Sequence, residues 1–143
     1  MKLVNFNFTK ISVERFKDRA DNIKFNTKMD ISSIDILKNE LLKTKDELIK
    51  VDFVYTLSFE PELAKIDFAG NFILSVDSKM AKDIIKGWKE KQTSDDFRTS
   101  IFNLILKKSN VKALELEEEL GLPYHIPLPS LSPQKKTEEK ESQ

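Results

Sequence analysis

The sequence predicts an α+β protein: a long-stranded, four-stranded antiparallel β-sheet built as a β-meander, followed by a short and a long helix packed on one face. Three observations predict it. Apolar residues alternate with period two through most of residues 4–76, then recur at the helical period of 3.6. Punctuation is sparse, with 3 glycines and 5 prolines in 143 residues, which favours long elements over many short ones. The composition is 39% hydrophobic against 34% charged, which sets a thin core beneath much solvated surface.

The first strand carries Val4, Phe6 and Phe8 on even positions, then Ile11 and Val13 on odd ones. Because strand side chains have period two, that slip requires a bulge, a bend or a change of exposed face. Ile23, Phe25, Thr27, Met29 and Ile31 form the second strand, with polar residues between them. Residues 38–47 suit a strand poorly and read as a loop or a short helix. The third strand runs Ile49, Val51, Phe53, Tyr55, Leu57, Phe59, and Glu60-Pro61-Glu62 ends it in a turn. Ile66, Phe68, Gly70, Phe72, Leu74 and Val76 return as the other arm of a hairpin.

Asp77 or Ser78 suits the N-cap of a first helix, on which Met80, Ile84 and Trp88 recur at i, i+4 and i+8 as a core-facing stripe. Ser94 or Asp95 caps the second. Its stripe of Phe97, Ile101, Leu104, Ile105 and Val111 is expected to face the sheet, and no Gly or Pro interrupts it before Gly121. A break near Ser109-Asn110 is the competing reading. Leu122 to Pro129 is an extended, proline-stiffened apolar strap. A single domain over 1–131 is expected, with 132–143 a disordered charged tail that has too little apolar surface to offset its ordering entropy.

The chemistry-bearing residues exclude more than they suggest. With no cysteine there are no disulfides, thiolate metal sites or cysteine nucleophiles, and one histidine precludes a multi-histidine metal centre. Lys+Arg and Asp+Glu both number 24, so the excess positive charge of a nucleic-acid binder is missing. His125 has no Ser or Asp signature around it and reads as a surface or packing histidine. Gly70 lacks a phosphate-binding loop pattern and reads as close packing or a bulge. Glu115, Glu117, Glu118 and Glu119 read as a solvated helix face paired with nearby lysines. No catalytic, cofactor or metal site emerges, and the apolar runs fall short of the ~20 residues a membrane helix needs. A cytoplasmic protein that is not an enzyme is expected, with no cofactor and no direct membrane insertion.

The strands are apolar on parts of both faces, as in Phe53-Val54-Tyr55 and Phe72-Ile73-Leu74, so both faces call for cover. The helices cover one. A second copy or a foreign apolar segment is expected on the other, around Val54 and Ile73.

The order of elements is similar to the SecB export-chaperone family. The local motifs resemble its archaeal members: Glu60-Pro61 with Lys65-Ile66-Asp67-Phe68-Ala69-Gly70, then Trp88-Lys89, Ile105-Leu106-Lys107-Lys108 and Lys112-Ala113-Leu114. The closing Glu119-Leu120-Gly121-Leu122-Pro123 and Ile126-Pro127-Leu128-Pro129 complete the pattern. The resemblance implies a chaperone for unfolded or pre-export polypeptides that works without catalysis and assembles as a homodimer or homotetramer. The polypeptide-binding residues expected on this basis are Phe6, Phe8, Val54, Ile73, Leu122, Tyr124 and Ile126. The alternative is an adaptor or scaffold that recognises one folded partner. The chain departs from bacterial SecB, a strongly acidic protein, in its zero net charge.

Overall fold

Four strands and two helices succeed one another in the computed structural model: β1 (Lys2–Arg15), β2 (Lys24–Leu37), β3 (Asp46–Glu60), β4 (Ala64–Asp77), α1 (Ser78–Lys89) and α2 (Asp95–Leu120). The structure describes residues 1–37 and 46–133. The readings at 38–45 and 134–143 lie outside the described residues, while Asp46 and Glu47 already belong to β3.

The α+β class, the antiparallel sheet and the helices on one face are as the sequence predicts, but the sheet order is β1-β4-β3-β2. Only β2, β3 and β4 form a meander, and β1 pairs with the far side of β4. Alternation records which face a residue occupies and carries no information about which strand lies beside it. The connection at 16–23 makes the crossing possible. Eight residues reach about 26 Å, whereas β1 and β2 stand three strand spacings, about 14 Å, apart. The backbone amides of Phe16 and Lys17 both donate to the Leu63 carbonyl, at 2.8 and 3.4 Å, so the crossing chain is tied to the β3–β4 turn.

The expected slip in β1 is a bulge at Thr9, between the Phe8 and Lys10 pairings. A second bulge, between Leu3 and Asn5, corrects the placing of Val4 with Phe6 and Phe8: Val4 has no cross-strand partner and is exposed. In β2 a bulge between Ile31 and Ser33 moves the inward positions from odd to even numbers, so Ile34 and Ile36 continue the face begun by Phe25 and Ile31.

Both helices cover the face formed by odd residues of β3 and even residues of β4. On these two strands the inward apolar side chains, Ile49 to Phe59 and Ile66 to Val76, are at most 3% exposed. They fall into two clusters. Val51, Phe53, Phe72 and Leu74 pack with Ala81, Ile84, Phe97, Ile101 and Ile105; Tyr55, Leu57, Ile66 and Phe68 pack with Ala113 and Leu122. Asp77 caps α1 through its carboxylate on the Met80 amide at 2.7 Å, and Ser94 caps α2 on the Phe97 amide at 3.3 Å. The second helix is continuous for 26 residues, about 39 Å, and ends on Gly121 at φ +64°.

The buried stripe of α2 corrects two expectations. It runs Phe97, Ile101, Ile105, Ser109, Ala113, Glu117, every fourth residue, while Val111 is 57% exposed. Glu117 is fully buried and does not belong to a solvated face. Four-residue steps exceed one turn by about 40°, so the buried face winds around the helix and leaves Val111 outside.

Candidate functional site

A helix with its side chains is about 10–12 Å wide, roughly two strand spacings of ~4.8 Å. A single long helix laid over β3 and β4 therefore leaves the inward faces of the edge strands partly bare. On β1, Leu3 is 37% and Ile11 47% exposed; on β2, Phe25 is 39% and Ile36 37% exposed. All four point to the helix-covered side, because their cross-strand partners Leu74, Phe68, Phe59 and Ile49 are buried there.

Along the β1 margin the floor is aromatic. Phe6 stacks on Phe72 with centroids 5.9 Å apart and planes 7° from parallel, and lies 5.3 Å from Phe53. Phe8 lies 5.1 Å from Phe68 and 6.3 Å from Phe53. Phe8 is paired with Gly70 across the strands, and a Cβ on Gly70 would strike the Asn7 carbonyl and come within 2.9 Å of the Phe53 ring. The close-packing reading of Gly70 holds: its missing side chain lets these rings meet. The Lys108 ammonium sits 5.9 Å above the Phe6 ring.

The β2 margin deepens into a groove of about 510 Å³ between β2 and the junction of the two helices. Ile31, Ile34, Trp88 and Phe102 supply its apolar wall, and Lys89, Lys91, Thr93, Arg98 and Asp30 line it with polar groups. The Arg98 guanidinium lies 5.4 Å from the centroid of the Phe102 ring.

The C-terminal strap locks the opposite end of α2. His125 Nδ1 lies 2.7 Å from Glu117 Oε2 and its Nε2 lies 3.0 Å from Asn110 Oδ1, while its amide donates to Glu117 Oε1 at 3.3 Å. The Tyr55 hydroxyl donates to the same Asn110 oxygen at 3.2 Å. Burial, reinforced by the charge of Glu117 and opposed by a hydrogen bond with Thr27, pushes the Tyr55 phenol up to about 12. Arg15 closes the lock from β1, its guanidinium donating to the carbonyls of Leu120 and Gly121, both at 3.1 Å. His125 is thus a packing histidine, engaged on both ring nitrogens. Among the described residues no group of three His, Asp or Glu is arranged to hold a metal ion, and no helix is long and apolar enough to cross a membrane.

The expected binding residues occupy three separate places. Phe6 and Phe8 line the β1 margin. Val54, 40% exposed, and the half-buried Ile73 lie on the opposite face, separated by the Asp52–Asn71 pair. Leu122 is 5% exposed in the second cluster, Tyr124 donates its hydroxyl to the Glu118 carboxylate on the outside of α2, and Ile126 is half-buried. Sequence reasoning missed Leu3, Ile11, Phe25 and Ile36 as open positions and the groove beside Trp88. The apolar alternation that signals a strand is the same whether a helix covers it or not, so no local signal marked them.

No family model and no curated protein matches the chain. Among solved structures, the Mycobacterium tuberculosis SecB-like chaperone Rv1957, in complex with a ChAD peptide from the Rv1956 HigA1 antitoxin, is similar at a TM-score of 0.49 and 11% identity, covering 94% of this chain and 92% of that one.

Proposed function

We propose that this protein is a chaperone that holds non-native polypeptide on the open margins beside the two helices, by apolar burial and without covalent chemistry. The observation that carries the reading is the exposure of Leu3, Ile11, Phe25 and Ile36 on the same sheet face that is sealed over β3 and β4. Scattered exposed apolar residues need no explanation, but side chains continuous with an aromatic floor form a surface of the kind used for binding. A client side chain buried there gains about 25 cal/mol per Å². The edge strands add backbone groups with which an extended segment can pair, giving affinity with little dependence on sequence.

The engagement of the only histidine with Glu117 and Asn110 supports a role without catalysis. The motif resemblance to SecB-like proteins supports pre-export clients and a cytoplasmic setting. Self-association into a dimer or tetramer belongs to the same reading, with the face around Val54 and Ile73 as the contact. Val54→Asp with Ile73→Asp is expected to split that oligomer by placing unpaired carboxylates in it, and light scattering reads the outcome. A wild-type protein that stays monomeric at tens of micromolar would remove the assembly from the account.

The function is tested by adding the purified protein at stoichiometric ratio to several chemically denatured proteins diluted into buffer. Slower aggregation across unrelated clients is the expected result. No effect on any client, with a single folded protein recovered in equal amount by pull-down, would replace the chaperone with an adaptor for one partner.

A further inference from the structure

We infer that the groove along β2 selects extended segments in which apolar side chains are flanked by acidic ones. The inference rests on the polypeptide-holding reading and deepens it. The chain as a whole is neutral, yet among the described residues the rim of this groove is not: Lys89, Lys91 and Arg98 border the apolar wall against one carboxylate, that of Asp30. Among the described residues none of the three cations forms an ion pair. Asp30 has its carboxylate committed locally, accepting from the Ile31 amide at 2.9 Å.

The positive rim continues beyond the groove. A neighbouring concavity shares Lys89 and adds Lys82 and Lys86 around Ile36 and Ile85, with Glu90 as its only acid among the described residues. Ile31, Ile34 and Ile36 therefore form an apolar track along β2 whose helix side carries ammonium and guanidinium groups throughout. An extended segment laid along this track alternates its side chains, one set entering between Ile34, Trp88 and Phe102 and the other reaching the rim. Acidic residues in the second set meet unpaired cations; basic residues meet like charge. Complementary charge around an apolar contact acts chiefly on selectivity and association rate.

The tryptophan in the wall is the only one in the chain, so its emission reports occupancy of this groove directly. The probes are three fluorescein-labelled peptides with one Leu-Phe-Val core flanked on both sides by glutamate, serine or lysine. Binding is followed by anisotropy and by Trp88 emission, at low and high salt. The glutamate-flanked peptide is expected to bind about tenfold more tightly than the serine-flanked one, the lysine-flanked one most weakly, with the differences shrinking in high salt. Lys91→Glu with Arg98→Glu should reverse the order of the glutamate and lysine peptides while Trp88 still responds. Lys89→Glu, alone and at the exposed end of α1, gives a smaller shift in the same direction and serves if the double variant fails to fold. Equal affinity for the three peptides, an order unmoved by charge reversal, or binding without a Trp88 response would overturn the inference and leave general polypeptide holding intact. Failure of every peptide to bind, together with no effect on client aggregation, would overturn both.

Discussion

Inward-facing apolar residues on the central strands and on the edge strands are chemically alike, yet their environments differ sharply. Phe53, Phe68 and Leu74 are at most 3% exposed, whereas Leu3, Ile11, Phe25 and Ile36 are 37–47% exposed on the same side of the same sheet. The difference comes from the width of the cover. One long helix spans about two strands, and α1 extends the cover only far enough to bury Ile31 and Ile34 on β2. The central residues hold the fold together; the edge residues are available to something else. Both edges are also blunted in the same way. Near its bulge each carries an Asn or Asp whose side chain accepts from the next backbone amide, Asn5 to Phe6 at 3.0 Å and Asp30 to Ile31 at 2.9 Å. At these two points the backbone amide is already engaged next to a kink, so pairing with an added segment is confined to the rest of each edge.

The largest loss of stability is expected at the centre of the sheet. Phe53→Ala removes a ring that touches Phe6, Phe8 and Phe72 and should cost about 3–5 kcal/mol in urea unfolding. A loss below about 1 kcal/mol would show that the centre is not the stabilising region. His125→Ala, which leaves the fully buried Glu117 short of its partner at 2.7 Å, should cost about 2–3 kcal/mol and free the strap to faster proteolysis near Pro123. Tyr55 gives a pH-dependent test of the same locked end. Its phenol titrates at 10.0 in the unfolded chain and at about 12 when folded, so the unfolded state releases the proton first as pH rises. Stability is full below pH 10 and falls from there toward pH 12. Wild type should lose about 2–3 kcal/mol more than Tyr55→Phe across that window, and parallel curves for the two would contradict the assignment. The smallest effect has the opposite sign. Ser109 is fully buried, and its hydroxyl has no hydrogen-bond partner among the described residues. Ser109→Ala should therefore raise stability by about 1 kcal/mol, and a clear loss would mean that the hydroxyl is satisfied.

The strands, both helices and their caps were legible in the sequence because each rests on a local signal. Alternation marks Ile49 to Phe59, a four-residue step marks Met80, Ile84 and Trp88, and Gly121 marks the end of α2. What stayed hidden depends on distant residues. The position of β1 beside β4 follows from a crossing connection whose length is readable but whose destination is not. The second half of the α2 stripe was invisible because Ser109 and Glu117 are polar and Ala113 between them is small, although tertiary packing buries all three. Glu117 looked like one of four acids on a wet face until the strap brought His125 to it. The open margins were hidden for the same reason: exposure belongs to the helix that fails to reach a residue and leaves no trace in the residue itself.

In this reading apolar side chains on the margins bind clients while those over β3 and β4 stabilise the fold. The most direct test is a variant carrying Ile11→Ser and Ile36→Ser, one from each margin, compared with wild type for thermal stability and for suppression of client aggregation in the same buffer. Substitutions at exposed positions usually change stability by less than about 0.5 kcal/mol, so an almost unchanged melting temperature is expected, with most of the suppression lost. Full suppression by the variant, or a melting temperature that falls as far as that of Phe53→Ala, would contradict it.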